Sequence, residues 1–383
     1  MARHAGAPHH AYAPLPWARA QSASSFPSAR GLARGLLPEG QAIEPRPDKS
    51  DMLIAHHLRR IAGDPLEEMT EAEAFELFSA LLDGGVPEME LGALLTALAM
   101  KTIMPAELSG FYRAARGRVN RLSPPSTARL ALRPLVIPSY SGTIEHPNLM
   151  PLLALLANHF GVPVVVHGPL EGHGRVASVS IFRELGVLPC ATLRHAQAEL
   201  AEGRIAYVPT GLVAPALMQL IALRSRLGFE NCAHAVASLI DPFDGLGLKL
   251  LPTADDAQAG RIGSVLLGHG DSALLFRGAE GEAYADPQQR PAIEYFNDGA
   301  HETLFEAEPL PVVPSSLRSS RLPEHADANN TARWIRDALS GKEPLPPPIT
   351  NLLACCLFAT GYTEDFNRAK AIVAVRTHSL AVA

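Results

Sequence analysis

Cysteine is scarce: Cys190, Cys232, Cys355 and Cys356 are the only four in 383 residues. None forms a CxxC pair or has a histidine at metal-ligand spacing, which argues against a zinc site and against a disulfide framework. Buried, reduced thiols of a cytoplasmic protein are the expectation. Long apolar runs are missing too. None reaches the ~18 residues that a membrane-spanning helix needs, so a soluble protein with no membrane partner is expected. Nor is there an excess of positive charge. The formal net charge is −6, so any attraction to nucleic acid must come from a local concentration of charge. The rest of the composition is that of an ordinary globular protein, 47% apolar and 19% charged. That is enough for two domains, or for one large α/β domain with a helical addition.

Acidic residues are nearly absent from the first 45 positions, where Glu39 and Glu44 stand alone among Ala, Pro, Arg, His and Ser. An organellar transit peptide shares this bias, but Pro8, Pro14, Pro16 and Pro27 interrupt the amphipathic helix it would need. Residues 1–48 are therefore expected to be a disordered extension, of the kind an over-extended start would add, and no fold element is sought in them.

Residues 49–130 have the texture of a small helical bundle. Met52, Leu53, Ile54, His57 and Leu58 begin an amphipathic segment that Gly63-Asp64-Pro65 stops. Thr70 and Glu73 have capping-box spacing and open a helix with Ala74, Phe75, Leu77, Phe78, Leu81 and Leu82 at helical intervals. Gly84-Gly85 ends it. Further helices follow Pro87 and Pro105, and segments near 213–240 are expected to complete this domain.

From residue 131 to 383 short apolar runs alternate with helical segments. Strands are expected at Leu135–Ile137, Val162–Val166, Ile205–Val208, Ser264–Leu267, Ala273–Phe276 and Pro311–Val313. Helices are expected at Leu149–His159, Val176–Leu185, Asn329–Leu339, Ile349–Ala359 and Glu364–Val375. Strand runs without polar alternation predict a mostly parallel central sheet flanked by helices, hence an α/β fold. Ligands of such sheets sit beyond the carboxyl ends of the strands. This directs attention to the loops 138–147, 167–175 and 208–214.

Three stretches carry a family resemblance. MTEAEAFELFSALLDGGVPEMELGALLTALAMKTIMPAEL (Met69–Leu108), HPNLMPLLALLANHFGVPVVVHG (His146–Gly168) and TARWIRDALSGKEPLPPPITNLLACCLFATG (Thr331–Gly361) resemble the helical and α/β segments of anthranilate phosphoribosyltransferases. The resemblance runs from Met52 onward and implies that family's fold. It also implies where a sugar diphosphate would be held, and there this chain departs from the pattern. Pro138, Ser139, Tyr140, Ser141, Gly142 and Thr143 stand where the family has a glycine-rich diphosphate loop. Asn148, Leu149, Met150 and Pro151 replace Asn-Ile-Ser-Thr, and Val166, His167, Gly168 and Pro169 replace Lys-His-Gly-Asn. Arg175 keeps a positive charge in the next loop, and Arg224 matches an arginine that contacts anthranilate. The magnesium-binding Asp-Glu pair falls on Ala283-Tyr284, with Glu280, Glu282 and Asp286 close by.

The resemblance is strongest to the divergent YbiB-type branch, in which the same motifs are lost and sequence-independent nucleic-acid binding is implied. NCAHAVASLIDPF (Asn231–Phe243), in place of the active enzymes' signature, fits that branch. A basic stretch offers a route to such binding. Lys101, Arg113, Arg116, Arg118, Arg121, Arg129 and Arg133 face one acid, Glu107, in the same segment. Arg113, Arg116 and Arg121 would share one side of a continuing helix. The expectation is a homodimer that binds DNA or RNA along this strip, with no anthranilate phosphoribosyltransfer and no cofactor. The alternative is a pentosyltransferase or phosphorylase with a rebuilt pocket that uses His167, Arg175 and Arg224, with magnesium. A third reading is a scaffold for a protein partner.

Other candidates are weaker. His167 is expected to be structural and His56-His57 solvated. Gly268, Gly270 and Gly278 are expected in turns. His146, His173, Ser139 and Ser141 are candidates for a different small-molecule pocket.

Overall fold

The Thr70 side chain accepts from the Glu73 N–H while the Thr70 N–H donates to the Glu73 carboxylate, so the capping box is formed. It opens the second of four N-terminal helices: α1 (Lys49–Ile61), α2 (Glu71–Leu82), α3 (Glu88–Met100) and α4 (Pro105–Arg116). The computed structural model describes residues 49–63, 67–125, 132–286, 290–308, 322–323 and 325–380. The N-terminal extension expected at 1–48 and the strand expected at Pro311–Val313 lie outside them. Asp48–Ala383 forms one compact unit.

After α4 come β1 (Leu135–Pro138), α5 (Met150–His159), β2 (Val164–Gly168), α6 (Ser178–Glu184), α7 (Leu193–Ala201) and β3 (Ala206–Pro209). Four short helices follow: α8 (Thr210–Val213), α9 (Pro215–Ala222), α10 (Arg224–Leu227) and α11 (Cys232–Ser238). Next are β4 (Leu248–Thr253), α12 (Asp256–His269), β5 (Ala273–Ala279), β6 (Glu282–Ala285), β7 (Ile293–Asn297) and β8 (Ala300–Phe305). The chain closes with α13 (Ala328–Leu339), α14 (Pro347–Ala359) and α15 (Phe366–Leu380).

Among the described residues the sheet has eight strands in the order β3-β2-β1-β4-β5-β7-β8, with β6 beside β5. The first five are parallel, and β6, β7 and β8 are antiparallel. Alternate residues feed two cores, as the period of two requires. Val136, Val165, Val208 and Leu251 pack with the N-terminal helices and α9, α11 and α12. Leu135, Ile137, Val164, Val166 and Leu250 face α5, α6, α13 and α14. Burial on both faces explains why these strands read as unbroken apolar runs.

Several expectations are corrected. His57 is not solvated but 2% exposed, and Gly268 lies within α12 and Gly278 within β5 rather than in turns. Ser264–Leu267 is not a strand but part of α12, which Asp255 caps and left-handed Gly270 ends. Its apolar residues follow a helical period, with Ile262, Val265 and Leu266 buried and Leu267 39% exposed. The helix over Arg113–Arg121 also stops early, at Arg116. Beyond Gly117 the backbone is drawn to other segments: the Asn120 N–H donates to Val213 O and the Leu122 N–H to Pro242 O.

A buried ion pair ties the bundle to the sheet. Lys249 on β4, 1% exposed, sits 2.6 Å from the Asp271 carboxylate, and the Tyr112 hydroxyl of α4 donates to that carboxylate at 2.7 Å. The Lys249 ammonium also donates to Leu239 O. Desolvation opposes its charge, but the Tyr112 and Asp271 groups outweigh it and raise its pKa. Removing one partner strands the other charge in the core. Asp271→Ala is therefore expected to cost about 3–5 kcal/mol in urea unfolding, and Tyr112→Phe only about 1 kcal/mol.

Candidate functional site

Beyond the carboxyl ends of β1 and β2, three loops meet the β5–β6 hairpin. The hairpin turns on two residues, Glu280 and Gly281, whose φ angles are +51° and +81°. Such a turn demands left-handed backbone at both positions, a conformation that costs a glutamate more than a glycine. The geometry delivers the side chains of Glu280 and Glu282 to the loop after β1.

Glu282 has no exposed surface. It accepts from the Gly142 N–H at 2.6 Å and the Ser141 N–H at 3.1 Å, and from the hydroxyls of Ser139 at 3.0 Å and Ser178 at 2.9 Å. Burial raises its pKa from 4.5, against the pull of the Gly142 N–H and the two serines. Asn148 donates to Ser178 Oγ and accepts from the Met150 N–H, which fixes the start of α5.

Glu280 fills the next turn of the loop. The N–H groups of Ile144, Glu145 and His146 donate to its carboxylate at 2.8, 3.0 and 2.8 Å. His146 Nδ1 and the Arg175 guanidinium complete the set, each at 3.1 Å. Desolvation acts to raise the Glu280 pKa, but the backbone donors and His146 overcome it and hold the group below its usual range. Arg175 also donates to Gly142 O. Thr143 pairs through its backbone with Val176. Gly142 has a φ of +66°, and Gly168 leaves no room for a Cβ, which would lie 2.1 Å from Ser139 O.

Tyr140 and His167 engage each other, whereas the buried Thr143 Oγ1 has no hydrogen-bond partner among the described residues. Tyr140 shares a hydrogen bond with His167 Nδ1 at 2.9 Å and accepts from Thr210. Complete burial pushes the His167 pKa down to about 4, against the backbone of Ile240, so the ring is neutral at pH 7. His167 is thus fully buried, with Nδ1 hydrogen-bonded to Tyr140. Arg224 does not join this group: it lies on α10 and pairs with Glu230 at 2.9 Å. The structure brings together Ser139, Tyr140, Ser141, Gly142, Thr143, Asn148, His167, Gly168 and Arg175. Ser178 belongs with them and went unnoticed in the sequence, where no motif marks it.

The family's magnesium site does not fit these residues. Ala283 and Tyr284 have no exposed surface, and the Tyr284 hydroxyl donates to Pro147 O. The nearby carboxylate oxygens of Glu280 and Glu282 are saturated with N–H and O–H donors, whereas a hard cation needs free oxygen ligands.

The four cysteines are free and buried. Burial raises Cys190 to about 11 and Cys232 to about 12, so neither is a thiolate at pH 7. No described helix is long and apolar enough to cross a membrane.

The basic strip looks different in three dimensions. Lys101 is 2.5 Å from the fully buried Glu107, which also accepts from the Met69 and Met104 N–H groups. Arg113 pairs with Glu71 at 2.5 Å and lies over the Phe75 ring. Arg118 makes two 2.7 Å bonds to Asp83. Arg121 pairs with Asp244, and Arg116 lies 3.8 Å from Asp244 and 3.7 Å from Asp271. Arg133 donates to Ser272 and Asn297 at the amino end of the sheet, away from the loops. Arg129 lies outside the described residues. The near absence of acids from this segment is therefore offset by carboxylates from elsewhere in the chain.

Comparison with known proteins follows the same lines. The helical bundle domain of a glycosyl transferase family matches residues 55–118. YbiB of Escherichia coli (strain K12), an uncharacterized protein, is 38% identical over 286 residues, 74% of this chain and 87% of YbiB. The anthranilate phosphoribosyltransferase of Methanosphaerula palustris is 26% identical over 328 residues, 85% of this chain and 94% of that enzyme. The crystal structure of the Thermus thermophilus anthranilate phosphoribosyltransferase aligns with a TM-score of 0.65 at 22% identity, covering 86% of this chain and 94% of that one. At that identity the structural likeness speaks for the fold.

A folded-state pKa held below 4.5 means that Glu280 stabilises the protein at neutral pH and that this contribution is lost as pH falls through its titration. The stability gap between the wild type and Glu280→Gln is expected to be widest near pH 7 and to narrow below pH ~4.5 in urea unfolding. A gap that does not change with pH would show that the carboxylate charge is not what binds the loop.

Proposed function

The chain belongs to the YbiB branch of the anthranilate phosphoribosyltransferase superfamily, and from that premise we propose that it is a binding protein on a transferase fold, without phosphoribosyl transfer and with nucleic acid as its partner. One observation carries the first half: the Glu280 and Glu282 carboxylates occupy the N–H groups of Ser141, Gly142, Ile144, Glu145 and His146. In the family, the loop at this place takes the diphosphate of phosphoribosyl diphosphate. Charged or protonated, Glu282 puts two oxygens where the ligand's would go, and anionic Glu280 repels a second anion. Transfer also needs a magnesium ion to stabilise the departing diphosphate, and the saturated carboxylates offer it no ligands.

The nucleic-acid half rests on Arg113, Arg116, Arg118 and Arg121, whose side chains are 49%, 35%, 29% and 56% exposed. Ion pairs at such exposure contribute only about 0–1 kcal/mol, so a phosphate can replace the carboxylate at little cost. Contacts of this kind carry no base information. A homodimer would double the track. The outer face of α3 supports one, with Met89, Ala93, Thr96 and Met100 exposed in a helical stripe and the two methionines 79% and 84% exposed.

Titration with phosphoribosyl diphosphate and magnesium is expected to give no saturable binding, and incubation with anthranilate no phosphoribosylated product by mass spectrometry. Saturable micromolar binding would overturn the reading.

In mobility shifts with single- and double-stranded oligonucleotides, binding is expected to tolerate any sequence. Because carboxylates must be released, the salt slope should be shallower than the ~0.9 per phosphate of an unpaired strip. Joint replacement of the four arginines by glutamine should abolish the shift. A shift that survives it places nucleic acid elsewhere on this protein, and no shift by the wild type overturns the reading. Light scattering of the same preparation should give twice the 40.8 kDa chain mass, and one chain mass in the Met89→Glu/Met100→Glu variant.

A further inference from the structure

A cleft of about 820 Å³ lies beside the filled loop, between the α3–α4 corner and the ends of β4 and β5. Its volume is in the range of pockets that take small molecules, roughly 300–1,000 Å³. Two arginines line it, Arg261 on α12 and Arg277 near the end of β5. Neither has a hydrogen bond or an ion pair among the described residues. This separates them from the strip, where Arg113, Arg116, Arg118 and Arg121 all meet carboxylates. Arg261 is moreover half-buried, so it has lost part of its hydration without gaining a partner.

The other charged groups of the cleft are already committed or outnumbered. Lys101 is bound to Glu107, Glu230 to Arg224 and Glu280 to Arg175 and three N–H groups. Asp286, just after β6, is a further carboxylate in the lining and is itself engaged. Leu98, Ile103, Leu251 and Ile262 supply apolar wall. His234, whose pKa burial holds below its ordinary value, is a neutral hydrogen-bonding ring at pH 7.

We propose that this cleft binds a phosphomonoester carried on an apolar or aromatic body, with Arg261 and Arg277 gripping the phosphate. Two unpaired guanidiniums match the two negative charges of a phosphomonoester, and planar guanidinium forks suit its oxygens. The body lies against the apolar wall. The cleft shares Tyr140, Ser141, His146 and Glu280 with the filled loop, but the two arginines belong neither to that loop nor to the arginine strip, and the site does not depend on nucleic-acid binding.

The test is calorimetric titration of the full chain with adenosine 5′-monophosphate, and with adenosine and inorganic phosphate as its two halves. The mononucleotide should bind saturably and each half much more weakly. Arg261→Ala and Arg277→Ala should each weaken binding about tenfold with an unchanged melting temperature, since neither arginine holds another residue. Arg113→Ala with Arg118→Ala should leave it unchanged. No saturable binding of the mononucleotide, or equal binding by the double Arg261→Ala/Arg277→Ala variant, would overturn the proposal. So would phosphate binding as tightly as the mononucleotide, or an oligonucleotide alone engaging these two arginines.

Discussion

The Glu282 carboxylate is the point on which the loop architecture depends. A group with no exposed surface binds two backbone N–H groups and two hydroxyls contributed by the β1 loop and the start of α6. Buried donors of this kind must be satisfied, and leaving them open costs more than the hydrogen bond gains. A loop that presents its N–H groups to a ligand is stable without ligand only if water satisfies them. Here the chain satisfies them itself. The hairpin that carries Glu282 also carries Glu280, so a single two-residue turn closes both halves of the loop. The left-handed conformation of Glu280 is held in place by the five donors around its carboxylate. Local strain at such a position persists only where the surroundings over-determine it.

The same logic of internal partners governs the basic segment. Read along the chain, it carries one acid among seven cations. Folding brings Glu71, Asp83, Asp244 and Asp271 to it. The pairs differ in kind. Lys101 with Glu107 is buried, and that carboxylate also holds the backbone at Met69 and Met104. Exchanging it for an external phosphate would leave the fully buried Glu107 carboxylate without its counter-charge. The exposed arginines have no such obligation, and for them a carboxylate and a phosphate are nearly equivalent partners. Lys101 therefore belongs to the scaffold, and Arg113, Arg116, Arg118 and Arg121 to the surface.

Much of the fold was legible because it follows from local rules. The Thr70–Glu73 capping box is a four-residue pattern, and β1, β2, β3 and β5 are apolar runs at the positions expected. The antiparallel edge was missed, although Asn297-Asp298-Gly299 carries a hairpin signal. Asp298 and Gly299 have φ angles of +51° and +77° and join β7 to β8. Ser264–Leu267 was misread because a short apolar run does not separate strand from helix, and the Asp255 cap nine residues earlier was the deciding feature. The site was legible in part. Residues of the loop after β1 could be named from the resemblance, and so could the misfit of Pro138 and Tyr140. What fills the loop could not be read, since Glu282 is 140 residues from Gly142 in the chain. The two glutamates were visible as carboxylates near a lost metal pair, yet only the hairpin's turn decides that they face N–H groups.

Filling the loop also polarises the cleft beside it. Its lining holds Glu280, whose carboxylate is engaged by its donors, together with Arg261 and Arg277. A concave site with low-dielectric walls focuses such a difference in potential. An anion entering it is repelled by Glu280 and attracted by Arg261 and Arg277, with Leu251 and Ile262 as apolar wall. Had the hairpin glutamates been absent, the open donors of the loop and the two arginines would have competed for the same anion. The carboxylates that close the loop thus leave Arg261 and Arg277 as the groups of the cleft that attract an anion.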